Sequence, residues 1–335
     1  MNRFVERWLV QREQLGVDWR KDRGILTKHV QPVIGAMMIA DVRAPQIVDL
    51  IRRVRTAGLA ARTVHNVYST TSALFRDAKL DGAIEQTPCC LTQHQLGPIV
   101  DKDPEWRAGA LFTRDEAEVL ISHRDIPADR RLVYGFGLLA GLRPGEVGAA
   151  RWRNYDAAME PLGRLIVALT YSSKRDLVKG TKTQAVRHVP VHPTLAAMIA
   201  EWKLGGWPAM FGRAPGPDDL IVPLPPETIK RRKRGGEPMR GDRYTYRRWI
   251  DIDEPMLGWR HRAVYATKAT FITLAIEDGA DADILEHRVT HTKPRRSAFH
   301  GYDRGSHWAE ACAAVAALRI ARRGDNLMLL QGGQR

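Results

Sequence analysis

Apolar residues recur every three or four positions through the first hundred residues, and this period predicts short helices. In the stretch APQIVDLIRRVRTAG, one helix face would carry Ile47, Leu50, Ile51 and Val54. A proline opens this stretch and a glycine closes it, which are ordinary boundaries for a helix. The chain is therefore expected to begin with a helical domain.

The next stretch, ARTVHNVYSTTSALFRDAKLDG, repeats the same period, and its other face carries short polar and basic side chains. When a helix lies against DNA, such side chains can reach phosphates and base edges. A solvated helix face explains each of them equally well, so both interpretations stay open. The residues on this face are Arg62, Thr63, His65, Asn66, Ser69 and Thr70.

The helical pattern stops between Gln93 and Gly109, where glycine, prolines and mixed charges follow one another. Thr113 and Glu116 then have the spacing of a capping box, so a new helix is expected to begin there. The expected limits are 1–97 for the first domain, 98–109 for a linker, 110–324 for a second domain and 325–335 for a tail.

The second domain mixes helices with a few strands. Two β-rich runs, 164–171 and 187–191, flank a basic hairpin, and an apolar helix ends at Gly279. An amphipathic helix is expected over about 307–323. The fold class is therefore mainly α with a small antiparallel sheet.

The net charge of the chain indicates which class of partner it binds. The chain has 335 residues, with 52 Lys and Arg against 38 Asp and Glu, which leaves a net charge of +14. Such a surplus favours a polyanionic partner, and nucleic acid is the usual one. A basic protein without such a partner is the alternative.

The sequence disfavours membrane proteins, zinc proteins and disulfide-rich proteins. No apolar run approaches the length of about 18 residues that a membrane span needs, so no membrane partner is expected. Three cysteines are too few for a zinc site or a disulfide framework. The sequence predicts a cytosolic protein with reduced thiols.

Five segments occur in the order and approximate spacing of the tyrosine recombinases, the phage-integrase family, which the chain resembles over nearly its whole length. The first half, including KHVQPVIG (28–35), also resembles that family's core-binding domain. The resemblance implies a helical, SAM-like core-binding domain followed by a mixed α/β catalytic domain. The five segments are GLRPGE (141–146), TKT with RHVPV (181–191), KATFITLAIEDG (268–279), RVTH (288–291) and Tyr302.

The resemblance implies a reaction in which the phenol of Tyr302 attacks a DNA phosphate, leaving a 3′-phosphotyrosine and a free 5′-hydroxyl. Arg143 would grip two phosphate oxygens, which a lysine cannot copy, and Glu146 would support the pocket. Lys182 would protonate the departing 5′-oxygen, and His291 would hydrogen-bond the phosphate. The rival lysines and histidine are Lys174, Lys179 and His300.

One position departs from the family pattern. The family's His-x-x-Arg falls on Tyr265 and Lys268, since His261 and Arg262 lie too early for that helix. A phenol is a poor proton acceptor at neutral pH, and lysine lacks the guanidinium fork. The hypothesis is that the chain binds DNA normally but cleaves slowly.

The resemblance implies a double-stranded DNA attachment site as substrate, clamped between the two domains, with neither metal nor cofactor. Four protomers would exchange strands through a Holliday junction and dock through the helix after Tyr302, although packing within one chain explains that helix equally well. Accessory DNA-bending or directionality factors are further partners that the resemblance allows, in a bacterial or phage setting. No arm-binding domain is expected before the core-binding helices. Further DNA contacts are expected from Lys28, Lys230, Arg231, Arg232, Arg240, Arg243, Arg247 and Arg248.

Two alternatives remain. A recombinase-derived protein that binds DNA without cutting it would never form a covalent adduct. A type IB topoisomerase shares the phosphotyrosine chemistry, and relaxation of supercoils by a monomer would identify it.

Overall fold

The computed structural model describes residues 1–17, 19–100, 105–181, 186–230, 238–290 and 305–324. Its contacts divide the chain into two compact units, Met1–Trp106 and Arg107–Arg335. A short helix, α7 (Trp106–Gly109), spans the division. Among the described residues, no helix is both long and apolar enough to cross a membrane.

The regular structure of the first unit, among its described residues, is all helical. A buried core of aromatic and aliphatic side chains holds the helices together, and Trp8 donates a hydrogen bond from Nε1 to Asp77 at 2.7 Å. A π-helical turn, Leu26–Val30, joins two of the helices. The α-helices are α1 (Asn2–Gln14), α2 (Trp19–Ile25), α3 (Gln31–Ile34), α4 (Ala44–Thr56), α5 (Ala61–Leu80) and α6 (Gln93–Leu96).

The predicted helix face in α4 is confirmed, because Ile47, Leu50, Ile51 and Val54 are all buried. The structure differs where the sequence pattern stops. Helix α6 forms there because the side chain of Thr92 caps the helix and accepts a hydrogen bond from the backbone of Gln95.

The helices of the second unit pack around one large core that also includes the sheet. The α-helices are α8 (Arg114–Ser122), α9 (Ala128–Ala140), α10 (Pro144–Ala149), α11 (Pro193–Glu201), α12 (Trp207–Phe211), α13 (Pro226–Lys230), α14 (Asp242–Arg248), α15 (Glu254–Leu257), α16 (Ala266–Glu277), α17 (Ala282–Ile284) and α18 (Trp308–Ala316). π-Helical turns occupy Trp202–Gly206, Trp249–Asp253 and Leu285–Thr290.

Five short strands among the described residues complete this unit. They form an antiparallel three-stranded sheet in the order β1-β2-β5 and a separate β3-β4 hairpin. The expected mainly helical fold with small antiparallel sheets is therefore confirmed. The strands are β1 (Tyr155–Asp156), β2 (Arg164–Val167), β3 (Leu169–Ser172), β4 (Leu177–Gly180) and β5 (Arg187–Pro190).

The predicted run 164–171 is two strands instead of one. Leu165 and Val167 point into the large core from β2, whereas Tyr171 in β3 joins a smaller buried cluster with Leu220 and Met239. The chain changes sheet at Ala168 because its two halves bury their apolar residues in different places.

The predicted C-terminal helix is too long. Helix α18 ends at Ala316, and Leu318 and Ile320 are buried without helical backbone. Three backbone groups of this segment bond to side chains of the same unit: the amide of Arg319 to Asp278, and the carbonyls of Leu318 and Ile320 to His192 and Thr194. The apolar face that follows Tyr302 in the sequence is thus covered within one chain.

Candidate active site

The GLRPGE turn places an arginine at the start of a helix. Helix α9 ends at Ala140, and the next residue, Gly141, has a left-handed backbone with φ of 61°. A Cβ at Gly141 would meet the ring of Phe271 at 2.7 Å. Only glycine fits this position without strain. Pro144 then begins α10, so Arg143 becomes the residue that precedes the new helix.

The guanidinium of Arg143 is held from two directions. Its Nη1 donates to Oε1 of Glu146 at 3.0 Å, and its Nε donates to the hydroxyl of Tyr265 at 2.8 Å. The backbone amide of Arg143 also donates to Oε2 of Glu146 at 2.9 Å. These two side-chain bonds use Nη1 and Nε and fix the orientation of the group, and among the described residues no further hydrogen bond engages Nη2.

Glu146 is the buried anion of the site. Its side chain is 3% exposed, and its Oε2 lies 2.8 Å from Nη2 of Arg187. Burial by itself would raise the pKa of this carboxyl, but the charges of Arg187 and Arg143 and the hydrogen bond from the Arg143 backbone lower it below its ordinary value. Glu146 is therefore ionised at neutral pH.

Lys268 lies in the first turn of α16 and is 4% exposed. Its Nζ donates to the carbonyls of Gly141 at 2.8 Å and Thr290 at 3.3 Å. Burial, together with the like charges of Arg143 and Arg187, lowers its pKa to about 7, against the attraction of Glu146. This ammonium is thus close to losing its proton at neutral pH.

The structure brings together four of the predicted catalytic residues: Arg143, Glu146, Tyr265 and Lys268. Three others, Lys182, His291 and Tyr302, lie outside the described residues, as does the rival His300. The rival Lys179 lies on β4, and Lys174 lies in the hairpin turn.

His261 and Arg262 are engaged elsewhere. Nδ1 of His261 lies 2.7 Å from Oε2 of Glu254, and Arg262 donates to Glu116 at 2.7 Å. Both precede α16, and neither contacts Arg143 or Lys268 through these groups.

Two further residues lie at this site that sequence reasoning did not single out. Arg187 is buried beside Glu146, and His287 lies on the π-helical turn Leu285–Thr290. The Nδ1 atom of His287 is buried and has no hydrogen-bond partner among the described residues. Both line a cavity of about 460 Å³, together with other basic side chains. The signal for His287 is its position four residues before His291; Arg187 gives none beyond its charge.

The predicted DNA-binding residues divide into exposed and half-buried groups. Lys28, Arg62, Ser69, Arg243 and Arg247 are exposed, whereas Thr63 and Asn66 are half-buried. Lys230 ends α13, and Arg231 and Arg232 lie outside the described residues.

Three of the proposed polar contacts need correction. Thr70 is buried, and its hydroxyl lies 3.5 Å from Asp22, because α5 turns this face toward its own domain. His65 contacts the carbonyl of Gly97 through Nε2 at 2.9 Å. Arg240 is 1% exposed and forms an ion pair with the buried Asp129, so it is not available to a phosphate.

Comparison with known proteins relates the sequence and the fold of this chain to integrases. The sequence model of the family described as "Phage integrase central domain" matches residues 4–94. The ICEBs1 integrase of Bacillus subtilis (strain 168) is 24% identical over 190 residues, which cover 55% of this chain and 49% of the relative. The chain thus spans about half the length of that curated relative.

Two solved structures share the fold. A fragment of the Tn1549 transposon integrase, in complex with transposon right end DNA, has a TM-score of 0.66 and 16% identity, over 87% of this chain and 90% of that one. A lambda integrase tetramer bound to a Holliday junction has a TM-score of 0.59 and 15% identity, over 88% and 78% of the two chains. Residues 4–94 thus match the central domain of the phage integrases, and the chain is similar to an integrase in sequence and shares the fold of two others.

Proposed function

We propose that this chain is a site-specific DNA recombinase that cuts and rejoins duplex DNA through a covalent bond to Tyr302. The phenol oxygen of Tyr302 attacks the scissile phosphorus while its proton passes to water, and the bond from phosphorus to the 5′-oxygen breaks. Lys182 gives that oxygen a proton. The product is a 3′-phosphotyrosine and a free 5′-hydroxyl, and the reverse reaction with another 5′-hydroxyl rejoins the strand.

The observation that carries this proposal is the fixed guanidinium of Arg143. Glu146 and Tyr265 hold Nη1 and Nε, so the group keeps one orientation before substrate arrives. A donor held in this way stabilises the negative charge that gathers on the phosphate oxygens, without reorganising during the reaction. Glu146 acts through Arg143 and Arg187, because its buried carboxylate contacts both.

The remaining donors come from lysine and histidine. Lys268 contributes a positive charge behind Arg143, since both cations lie close enough to interact electrostatically. The histidine that reaches the phosphate is His291 or His287, of which only His287 lies among the described residues, with an unpaired Nδ1.

A second candidate function rests on Lys268. Its Nζ already bonds two backbone carbonyls, and its charge is only partly retained at neutral pH. A chain with this site could bind DNA and cleave it too slowly for recombination. Labelled DNA on a denaturing gel separates the two functions: a recombinase forms a protein–DNA band that survives denaturant, and a binding protein forms none. Relaxation of supercoiled DNA by the monomer would instead indicate a topoisomerase.

By analogy with the lambda integrase tetramer on a Holliday junction, we propose that four protomers assemble on two DNA sites. In the monomer the apolar face of α18 is covered within the same chain, so its four buried residues, Ala311, Cys312, Ala314 and Val315, are not free for a neighbour. Contacts between protomers must then use other surfaces or displace this helix.

Binding to DNA should depend steeply on salt. Each phosphate that the protein neutralises lowers the slope of log K against log salt by about 0.9. The exposed Arg247 should account for one such contact, so Arg247→Ala is expected to reduce the magnitude of the slope by about one. Fluorescence anisotropy of a labelled duplex at several salt concentrations measures the slope.

Arg213 offers a matched control. It is similarly exposed but paired with Asp219 through two hydrogen bonds, so Arg213→Ala should leave the slope unchanged. A slope that is flat for the wild-type protein, or that Arg247→Ala does not alter, would contradict a DNA contact by this arginine.

A further inference from the structure

A buried arginine connects two parts of the site. Arg187 begins β5 and is 3% exposed, so its side chain cannot reach a DNA phosphate in this conformation. Its guanidinium nevertheless contacts acceptors on two segments, the Arg143 turn and the π-helical turn Leu285–Thr290. The role of such a residue must be carried through its neighbours.

One side of Arg187 faces the Arg143 turn. Its Nη2 lies 2.8 Å from Oε2 of Glu146, and that same oxygen accepts the backbone amide of Arg143 at 2.9 Å. The other oxygen of Glu146 accepts Nη1 of Arg143 at 3.0 Å. Arg187 therefore fixes the carboxylate that fixes Arg143.

The other side of Arg187 faces the end of the π-helical turn Leu285–Thr290. Its Nη1 donates to the carbonyls of Val289 at 3.0 Å and Thr290 at 2.7 Å. Carbonyls at the end of a helix lack partners within the helix and carry partial negative charge. The carbonyl of Thr290 also accepts from Lys268, so two buried cations meet on one oxygen.

The carbonyl oxygen of Thr290 lies next in sequence to predicted catalytic residues. Thr290 directly precedes His291, and the same segment continues to Tyr302. Lys268 repeats the connection, because its second acceptor is the carbonyl of Gly141, two residues before Arg143. Arg187 and Lys268 thus each connect the Arg143 turn to Thr290, the residue directly before the segment that carries His291 and Tyr302.

We propose that Arg187 is a positioning residue for DNA cleavage. It fixes the position of Thr290, the residue before the segment that carries His291 and Tyr302, relative to the guanidinium of Arg143. The proposal rests on cleavage by Tyr302. An error of about 1 Å in the placement of reacting groups can cost about 10²-fold in rate. Loss of Arg187 should therefore slow the chemical step at saturating DNA and leave the affinity for DNA nearly unchanged.

The test compares Arg187→Gln, Arg187→Lys and Arg130→Gln with the wild-type chain. Arg130 is a matched control, because it is also largely buried and paired with a buried carboxylate, that of Asp253, at 2.8 Å. Single-turnover formation of covalent adduct on a nicked suicide duplex gives the rate, and anisotropy gives the Kd. We expect Arg187→Gln to lower the rate about 10²-fold with Kd within about threefold.

Arg187→Lys should recover part of the loss, because an ammonium can still pair with Glu146 but cannot span both segments as the guanidinium does. Arg130→Gln should destabilise the fold to a similar degree and keep the rate within about threefold of wild type. The proposal is overturned if Arg187→Gln cleaves at the wild-type rate, or if both glutamine variants slow cleavage equally.

Hydrogen exchange separates this proposal from the proposed function. Amides in 141–147 and 285–290 should exchange faster in Arg187→Gln than in Arg130→Gln, whether or not DNA is cut. Unchanged exchange would refute the positioning contact. A wild-type chain that forms no adduct, with altered exchange in Arg187→Gln, would refute the cleavage function and leave the contact established.

Discussion

Replacement of Arg143 by glutamine is expected to slow covalent adduct formation by about 10²–10³-fold, the usual effect of removing one preorganised donor from an anionic transition state. The reason is local: Glu146 and Tyr265 already fix this guanidinium, so its donors require no rearrangement when the phosphate becomes more negative. The affinity for duplex DNA should change by less than about threefold, since many other cations contribute to binding. Single-turnover cleavage and anisotropy on the same duplex measure the two quantities.

Arg143→Lys tests whether the planar guanidinium, and not its charge alone, is required. A lysine keeps the charge but cannot donate to Glu146 and a phosphate through a fixed plane, so most of the rate should be lost with it as well. Arg153→Gln serves as the control, because Arg153 is exposed and paired with the exposed Asp218. Cleavage by Arg143→Gln at more than about a tenth of the wild-type rate would show that Arg143 is not a main phosphate donor.

Lys268→Arg is expected to increase the cleavage rate, and the increase should grow with pH. The lysine has a pKa of about 7 in the folded chain, so its charge is present below that pH and is lost as the pH rises. An arginine stays charged throughout the range from pH 6 to 9. The ratio of the variant rate to the wild-type rate should therefore rise above pH 7, toward about tenfold per pH unit if the charge is required.

The negative charge of bound phosphate moves this rise to a higher pH without reversing its direction. Lys268→Gln provides a second measurement, because it cannot titrate: its rate should be low and should lack the decline that Lys268 causes. Arginine is larger than lysine at a position that is 4% exposed, so thermal unfolding of each variant must accompany the rates. A constant ratio from pH 6 to 9 would mean that the charge at this position does not limit cleavage.

Local signals in the sequence predicted most of the framework. The apolar spacing of Ile47, Leu50 and Val54 identified α4, and the spacing of Thr113 and Glu116 identified the start of α8. The GLRPGE segment identified the Arg143 turn, because a left-handed Gly141 ends one helix and Pro144 opens the next within three residues. Such features succeed because their physical cause lies within a few residues.

Features that depend on distant partners were missed or misjudged. Arg187 looks like a surface cation in RHVPV, and its burial depends on Glu146, which lies 41 positions earlier in the sequence. Arg240 belongs to a basic stretch, yet it pairs with Asp129 in the interior. The pattern after Ala316 stays apolar although the helix has ended, because Leu318 and Ile320 are buried without helical backbone. Periodicity alone could not distinguish these cases.

The most direct test of the central claim is to locate the covalent bond. A suicide duplex carrying the attachment site is incubated with the wild-type chain, digested with protease and nuclease, and analysed by mass spectrometry. We expect a nucleotide adduct on the peptide that contains Tyr302, and no adduct with Tyr302→Phe. An adduct on Tyr265 or another residue, or a wild-type chain that binds the site without any adduct, would contradict that claim.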